Sequence, residues 1–186
     1  IGPANMGGRI TDIAVNPADA SEYWISTAAS GVLHTTNNGV TYEHQFTNQR
    51  TSSVGALAVA PSDPTQIWAG TGENNPRNSV SWGDGVYVSK DSGATWRYAG
   101  LGESFQVSTI IVHPENPDVV YVGALGRLWG PNDERGVYKT TDGGKTWELQ
   151  PNLKVEEGSH LFGVQAVDAK NAWAVGEWGT RIHTDD

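Results

Sequence analysis

Tyr138-Lys139-Thr140-Thr141-Asp142-Gly143-Gly144-Lys145-Thr146-Trp147 is written three times along this chain in closely similar form. Val88-Ser89-Lys90-Asp91-Ser92-Gly93-Ala94-Thr95-Trp96 repeats it, and His34-Thr35-Thr36-Asn37-Asn38-Gly39-Val40-Thr41-Tyr42 repeats it more loosely. A fourth copy opens at Ile182-His183-Thr184-Asp185-Asp186. The shared pattern is Ser/Thr-x-Asp-x-Gly-x-Thr-Trp, with its acidic or amide position at residues 37, 91, 142 and 186, spaced by 54, 51 and 44 residues. A period of that size is the signature of a repeat architecture, and a four-stranded propeller blade occupies about 40 to 50 residues.

Working outward from each copy, the same elements return in the same order. A strand expected to be buried comes first, in Ile10–Val15, Gly55–Ala60, Ser108–Val112 and Gly163–Val167. In the first three periods Pro17, Pro61 and Pro114 follow it, and seven residues later an aromatic opens a second strand at Trp24, Trp68 and Tyr121; Trp173 takes that place in the fourth. A third strand precedes each box, at Gly31–Leu33, Gly85–Val88 and Gly136–Lys139, and Thr95–Tyr98 and Thr146–Leu149 start a fourth. Short β-branched and aromatic runs between turn residues, 23 Gly, 9 Pro and the lack of a sustained 3.6-residue apolar stripe make the class all-β.

Four antiparallel strands repeated radially form a β-propeller. Expected blades run over about 7–47, 53–101 and 106–150, with an incomplete one over about 161–186. The last lacks its box and outer strand, so part of a propeller of about six to eight blades is expected, completed by further blades or a second copy. A chain that opens at Ile1 rather than Met reads as processed or trimmed.

Inside the box, Asn37, Asp91 and Asp142 are placed to accept backbone N–H groups of their own hairpin loop, while Gly39, Gly93 and Gly144 supply a positive φ. The closing Tyr42, Trp96 and Trp147 are expected in the core between sheets. Sharper chemical readings fail on spacing. Gly144-Lys145-Thr146 lacks the Gly that a phosphate loop needs where Lys139 stands. Asp91 and Asp142 lack the later acidic positions of a calcium loop. His34, His44, His113, His160 and His183 show no metal-ligand spacing. No metal and no cofactor is expected.

Twenty-one acidic against twelve basic side chains, a formal net charge of −9, argue against a nucleic-acid partner. No apolar run approaches the roughly 18 residues of a membrane span. Zero Cys excludes disulfides.

The box resembles the Asp-box, or bacterial neuraminidase repeat, of sialidases, sortilin-type propellers, some xyloglucan-active glycosidases and photosystem II assembly-factor propellers. Ile1-Gly2-Pro3, Gly7-Gly8-Arg9, Gly72-Glu73-Asn74-Asn75 and Gly83-Asp84-Gly85 resemble secreted bacterial sortilin-like members. Val167–Gly176 is more similar to the photosystem II assembly-factor type. The resemblance implies a propeller and an extracellular, periplasmic or envelope setting; it does not choose a function, because the box occurs in catalytic and non-catalytic members alike.

All boxes join third to fourth strands and share one face, so the loops joining second to third strands emerge on the other. Two of these are long, Gly72–Asp84 and Ala124–Arg135, and the last is Glu177-Trp178-Gly179. Trp82, Trp129 and Trp178 each precede a Gly and lie outside the strand alternation. With Glu73, Asn74, Arg77, Asp84, Arg127, Asp133 and Arg135 they are the candidate ligand-binding surface for sugar rings or a peptide; the alternative is that each Trp lids its own blade. Blade-to-blade loops add Arg50, Glu103, Glu156, Glu157 and His160 without a motif.

Three functions follow. The first is a non-catalytic module binding a polypeptide or glycan. The second is a glycoside hydrolase pairing Glu73 or Asp84 with Asp133 or Glu134 as acid and base. The third is an assembly factor or scaffold. A sialidase is disfavoured, since Arg9-Ile10-Thr11 departs from an Arg-Ile-Pro element at its last position.

Overall fold

The computed structural model describes residues 8–75, 80–130, 132–150, 161–166, 172–176 and 181–184. They form four antiparallel sheets, each taken up in chain order. The first is β1 (Ile10–Val15), β2 (Tyr23–Thr27), β3 (Val32–Thr35) and β4 (Glu43–Gln45). The second is β5 (Val54–Ala60), β6 (Asp63–Thr71), β7 (Val86–Ser89) and β8 (Arg97–Gly100). The third is β9 (Val107–Val112), β10 (Val120–Ala124), β11 (Gly136–Thr140) and β12 (Glu148–Leu149). The fourth holds three strands, β13 (Leu161–Ala166), β14 (Ala172–Gly176) and β15 (Arg181–Thr184). The leading strands β1, β5, β9 and β13 each lie against the next, so the sheets succeed one another around a common side, as propeller blades do. Among the described residues no helix is long and apolar enough to cross a membrane.

Register explains how the blades stick together. Directly opposed residues of an antiparallel pair point to the same face. In the first blade Ala14, Trp24 and His34 therefore share one face, and Ile13, Ile25 and Leu33 the other. The Trp24 face meets Leu57, Ala69 and Tyr87 of the second blade. The opposite face of that blade carries Ala58, Trp68 and Val88 in register, and it meets Val107, Ile110, Val112, Val120 and Val122 of the third. Trp24 and Trp68 are both 0% exposed. At roughly 150 to 250 Å² each and about 25 cal/mol per Å², each indole contributes on the order of 4 to 6 kcal/mol of gross transfer free energy. Gly70 faces the same interface because a Cβ there would stand 2.3 Å from Cγ1 of the buried Val107.

Polar bonds stitch the same seams. Leu57 N–H donates to Asp12 Oδ2 at 2.9 Å, and Thr11 Oγ1 to the Val54 carbonyl at 2.5 Å. On the box side, the Trp24 indole N–H and the Gln45 amide both donate to the Ser92 carbonyl, at 3.2 and 3.1 Å. The Arg97 guanidinium donates to the equivalent Gly143 carbonyl at 2.6 Å. The second and third box turns thus dock on the blade before them.

Three expectations need correction. β1 is not a buried strand: Ile10, Ile13 and Val15 are 60%, 53% and 47% exposed, because that face has no blade packed on it among the described residues. Tyr42 is 42% exposed for the same reason, whereas Trp96 and Trp147 pack against the preceding blade. Trp173 is 44% exposed, since no described blade follows it. In addition β6 starts at Asp63, five residues before the aromatic expected to open it.

Candidate functional site

The boxes are folding devices built from short local bonds. In the third, Thr146 N–H and Thr140 Oγ1 donate to Asp142 Oδ1 at 3.0 and 2.8 Å, and Thr146 Oγ1 donates to Oδ2 at 2.7 Å. Asp91 takes the same bonds from Thr95 and Ser89, and Asn37 Oδ1 accepts from Thr41 N–H and Thr35 Oγ1. Thr146, first through its backbone N–H and then its hydroxyl, holds the Asp142 carboxyl well below the ordinary 3.8. Thr95, first through its hydroxyl, does the same for Asp91. Gly39, Gly93 and Gly144 have φ of 82°, 87° and 76°, and so each turn places its glycine in the left-handed region; the preceding Asn38, Ser92 and Gly143 are left-handed too. A Cβ on Gly144 would stand 2.9 Å from Ala99 Cβ and 3.1 Å from the Trp68 ring, so this glycine also permits close blade contact.

On the opposite face a cavity of about 450 Å³ opens between the second-to-third blade loop and the long β10–β11 loop. It is lined by Glu103, Phe105, Arg127, Asn132, Asp133 and Glu134. Phe105 has φ 53° and ψ −42°, and Gln106 N–H donates to the Ser104 carbonyl at 2.5 Å across it, a tight three-residue turn. Such a backbone costs of order 1 to 3 kcal/mol and persists only when its surroundings hold it. Gly83 N–H does so by donating to the Phe105 carbonyl at 2.7 Å. The ring faces the Arg127 guanidinium, 4.5 Å from its centroid, and meets the edge of Trp82 at 5.7 Å.

The cavity wall is cross-braced. Glu103 N–H donates to Glu134 Oε2 at 2.8 Å, Arg127 N–H donates to Asn132 Oδ1 at 2.9 Å, and Asn132 Nδ2 donates to the Glu103 carbonyl at 3.1 Å. The carboxylates set a negative field. Tyr98 and Tyr138 have phenol pKa values raised first by burial, then by Asp84 and Glu134 for Tyr98 and by Glu134 and Asp133 for Tyr138. An aromatic floor, a stacked guanidinium and acceptor carboxylates can hold a flat apolar ring while taking hydrogen bonds from its hydroxyl or amine groups.

Of the residues nominated from sequence, the cavity brings together Arg127, Asp133 and Glu134, with Trp82 beside its floor. Trp82 and Trp129 are 64% and 79% exposed, so neither lids its blade. Glu73 is elsewhere. It is 4% exposed and ion-paired with Arg9, which joins the start of the first blade to the second. Asn74 donates to the carbonyls of Gly55 and Ser108 at 2.8 and 3.4 Å and acts as a brace between blades. Asp84 accepts the Tyr87 hydroxyl at 2.7 Å, and Arg135 donates to the Leu125 and Arg127 carbonyls, both at 2.9 Å. The proposed pairing of Glu73 or Asp84 with Asp133 or Glu134 therefore finds only its second half in the cavity. Arg77 and Trp178 lie outside the described residues. Sequence reasoning missed Phe105 and Asn132 and gave Glu103 no role; the available signal was that blade-to-blade loops emerge on the same face as the Trp-Gly loops.

Residues 138–149 match the BNR/Asp-box repeat. A probable oligoxyloglucan-reducing end-specific xyloglucanase of Neosartorya fischeri is 33% identical over 109 residues, covering 54% of this chain and 11% of that protein. Among solved structures, an ancestral GH74 enzyme superposes with a TM-score of 0.69 at 21% identity, over 90% of this chain and 22% of the other. YCF48 bound to D1 peptide superposes with a TM-score of 0.55 at 14% identity, over 97% of this chain and 54% of the other. The chain thus spans about a tenth of the curated relative and about half or less of these structures. The third box is thus an Asp-box repeat, and the blades share the β-propeller fold of these structures.

Proposed function

We propose that this chain is an interaction module that binds a polypeptide or glycan on the loop-rich face opposite its Asp-boxes. Its blades run over about 7–47, 53–101, 106–150 and 161–186. The observation that carries the binding reading is the cavity floored by a strained Phe105 and walled by Arg127, Asp133 and Glu134, with exposed Trp82 at its floor. A backbone held out of its preferred region beside exposed aromatics fits a preorganised binding site better than a packing element. The setting proposed is extracellular or the cell envelope, resting on the resemblance to secreted Asp-box proteins. Array binding followed by calorimetry on the best glycan or peptide tests this. Phe105→Ala and Arg127→Ala are each expected to weaken the affinity about threefold to thirtyfold, one lost stacking or cation–π contact being worth roughly 0.5 to 2 kcal/mol. Saturable binding that both variants leave intact would remove the site from this cavity.

A second reading, glycoside hydrolysis, is supported by the xyloglucanase relative and by Asp133 and Glu134 lying in one cavity. Its test is the release of reducing ends from xyloglucan oligosaccharides. Asp133→Asn and Glu134→Gln are each expected to abolish that release if these carboxylates do the chemistry, and a rate unchanged in both would dismiss them. An assembly or scaffold role, the third reading, is favoured by likeness to a propeller solved with a peptide bound. It calls for co-purification of a defined complex.

A further inference from the structure

Gln45, on the last strand of the first blade, offers its amide to two acceptors at once, and one of them titrates. Its Nε2 stands 3.1 Å from the Ser92 carbonyl of the second box and 3.2 Å from His34 Nδ1. A carbonyl can only accept, so the nitrogen of the amide must face this pair and His34 Nδ1 must carry no proton. The ring proton then sits on Nε2, which donates to Glu22 Oε1 at 3.0 Å. His34 is 8% exposed and stacks on Trp24, ring centroids 4.6 Å and planes 2° apart. The seam between the blades receives the result, since the Ser92 carbonyl holds the Gln45 N–H together with the Trp24 indole N–H at 3.2 Å. Gln45 Oε1, meanwhile, is buried without a hydrogen-bond partner among the described residues, and a Cβ on Gly93 would collide with it.

We infer that His34 is a proton-operated switch of the seam between the first and second blades. Protonation puts an N–H on Nδ1, aimed at an amide group that also offers N–H. With the amide nitrogen forward, two donors collide at His34; with the oxygen forward, two acceptors collide at Ser92. A charge-assisted hydrogen bond is roughly twice as strong as a neutral one, so the imidazolium takes the oxygen. The amide turns, Oε1 gains the partner it lacked, and the Ser92 carbonyl keeps Trp24 alone. The charged ring is accommodated on its other sides too. Glu22 becomes an ion-pair partner for Nε2, Glu43 lies opposite His34 on β4, and the indole face of Trp24 attracts a cation. From the second blade, Asp91 precedes Ser92 with its carboxylate bonded to Ser89 and Thr95, Lys90 is turned to Asp118 at 3.4 Å, and Tyr87 gives its hydroxyl to Asp84. A histidine changes charge between about pH 5 and 8, so the first blade holds the second box more firmly in neutral than in mildly acidic surroundings. The switch lies on the box face and stands whether or not the loop-face cavity binds a ligand.

Nitrogen and carbon NMR of the full chain, titrated from about pH 8 to about pH 5, tests each part. At the upper end His34 is expected as the Nε2–H tautomer. On acidification the Gln45 side-chain amide and the Ser92 carbonyl carbon are expected to shift with the same midpoint as the His34 ring nitrogens. Gln45→Met keeps the apolar stem and removes both amide atoms, so its Ser92 carbonyl is expected to lose the pH step while His34 still titrates. Gln45→Glu serves if that variant does not fold, because a carboxylate accepts from the imidazolium and never donates to Ser92, and the same flat response is expected. Gln45 and Ser92 resonances that stay still while His34 titrates would overturn the inference, as would a Ser92 step that survives in the variant. So would an Nδ1–H tautomer at pH 8, or a ring that stays neutral down to pH 5.

Discussion

The first and third boxes make nearly the same hydrogen bonds and end in opposite surroundings. Asn37 and Asp142 each accept a backbone N–H from the Thr four residues on, at 2.9 and 3.0 Å, and each box glycine donates its N–H to the leading Thr hydroxyl at 3.0 Å. Trp147 then lies on the second blade with its indole N–H 2.5 Å from the Ala99 carbonyl, whereas Tyr42 meets Tyr23 and Gly39 of its own blade and stays 42% exposed. The lesson is that the box specifies its own turn completely and specifies nothing about what its aromatic meets. Burial is a property of the seam between blades.

The largest test of that contrast is at the aromatics. Trp147→Ala is expected to lower stability by about 3 kcal/mol or more, as large-to-small changes of packed aromatics do, and Tyr42→Ala by about 0.5 kcal/mol. Urea unfolding at a concentration too low for self-association measures both; equal losses would mean that the seam contributes little. The glycines come next. Gly144→Ala meets Ala99 and the Trp68 ring and adds overpacking to an unfavourable φ, for about 2 to 4 kcal/mol in total. In Gly39→Ala the new Cβ meets only the hydroxyl ends of Tyr23 and Tyr42, which can swing aside, leaving about 1 kcal/mol of backbone strain.

The smallest effect is electrostatic. The Asp142 carboxyl is depressed by the Thr146 N–H and hydroxyl, so the stability it lends is present above the ordinary value of 3.8 and is lost as pH falls through its lower folded value. Asp142→Asn copies the neutral first box. Its unfolding midpoint is expected to fall less steeply than that of the wild type as the pH drops below about 3.8, with little difference between the two slopes above pH 6. Parallel acid curves would show that the box bonds do not depend on charge.

The candidate site was legible only in part, for a reason visible in particular residues. Trp82 and Trp129 stand outside the strand alternation, which nominated them for the binding surface but left a lidding role open; their exposure came from the structure. Glu73 and Asp84 looked equally available, yet Glu73 turns inward to Arg9 and Asp84 takes the Tyr87 hydroxyl, because loop carboxylates bond to whatever donor the neighbouring strand supplies. Phe105 carried no signal beyond its place in a blade-to-blade loop. Its place on the cavity floor comes from a turn held by Gly83, twenty-two residues earlier in the chain and in another loop.

By itself the sequence determined the all-β class, the repeat, the order of strands within a blade and the internal bonding of each box. These follow from interactions within a few residues or across one hairpin, which periodicity and turn chemistry record directly. Only the tertiary structure decided which aromatics are buried, which face of an end blade lies open, and which loop side chains meet in one cavity. Those outcomes depend on contacts between blades some fifty residues apart, and Trp68 and Trp173 show the reason: equivalent positions in their repeats are 0% and 44% exposed because a blade follows the one and no described blade follows the other.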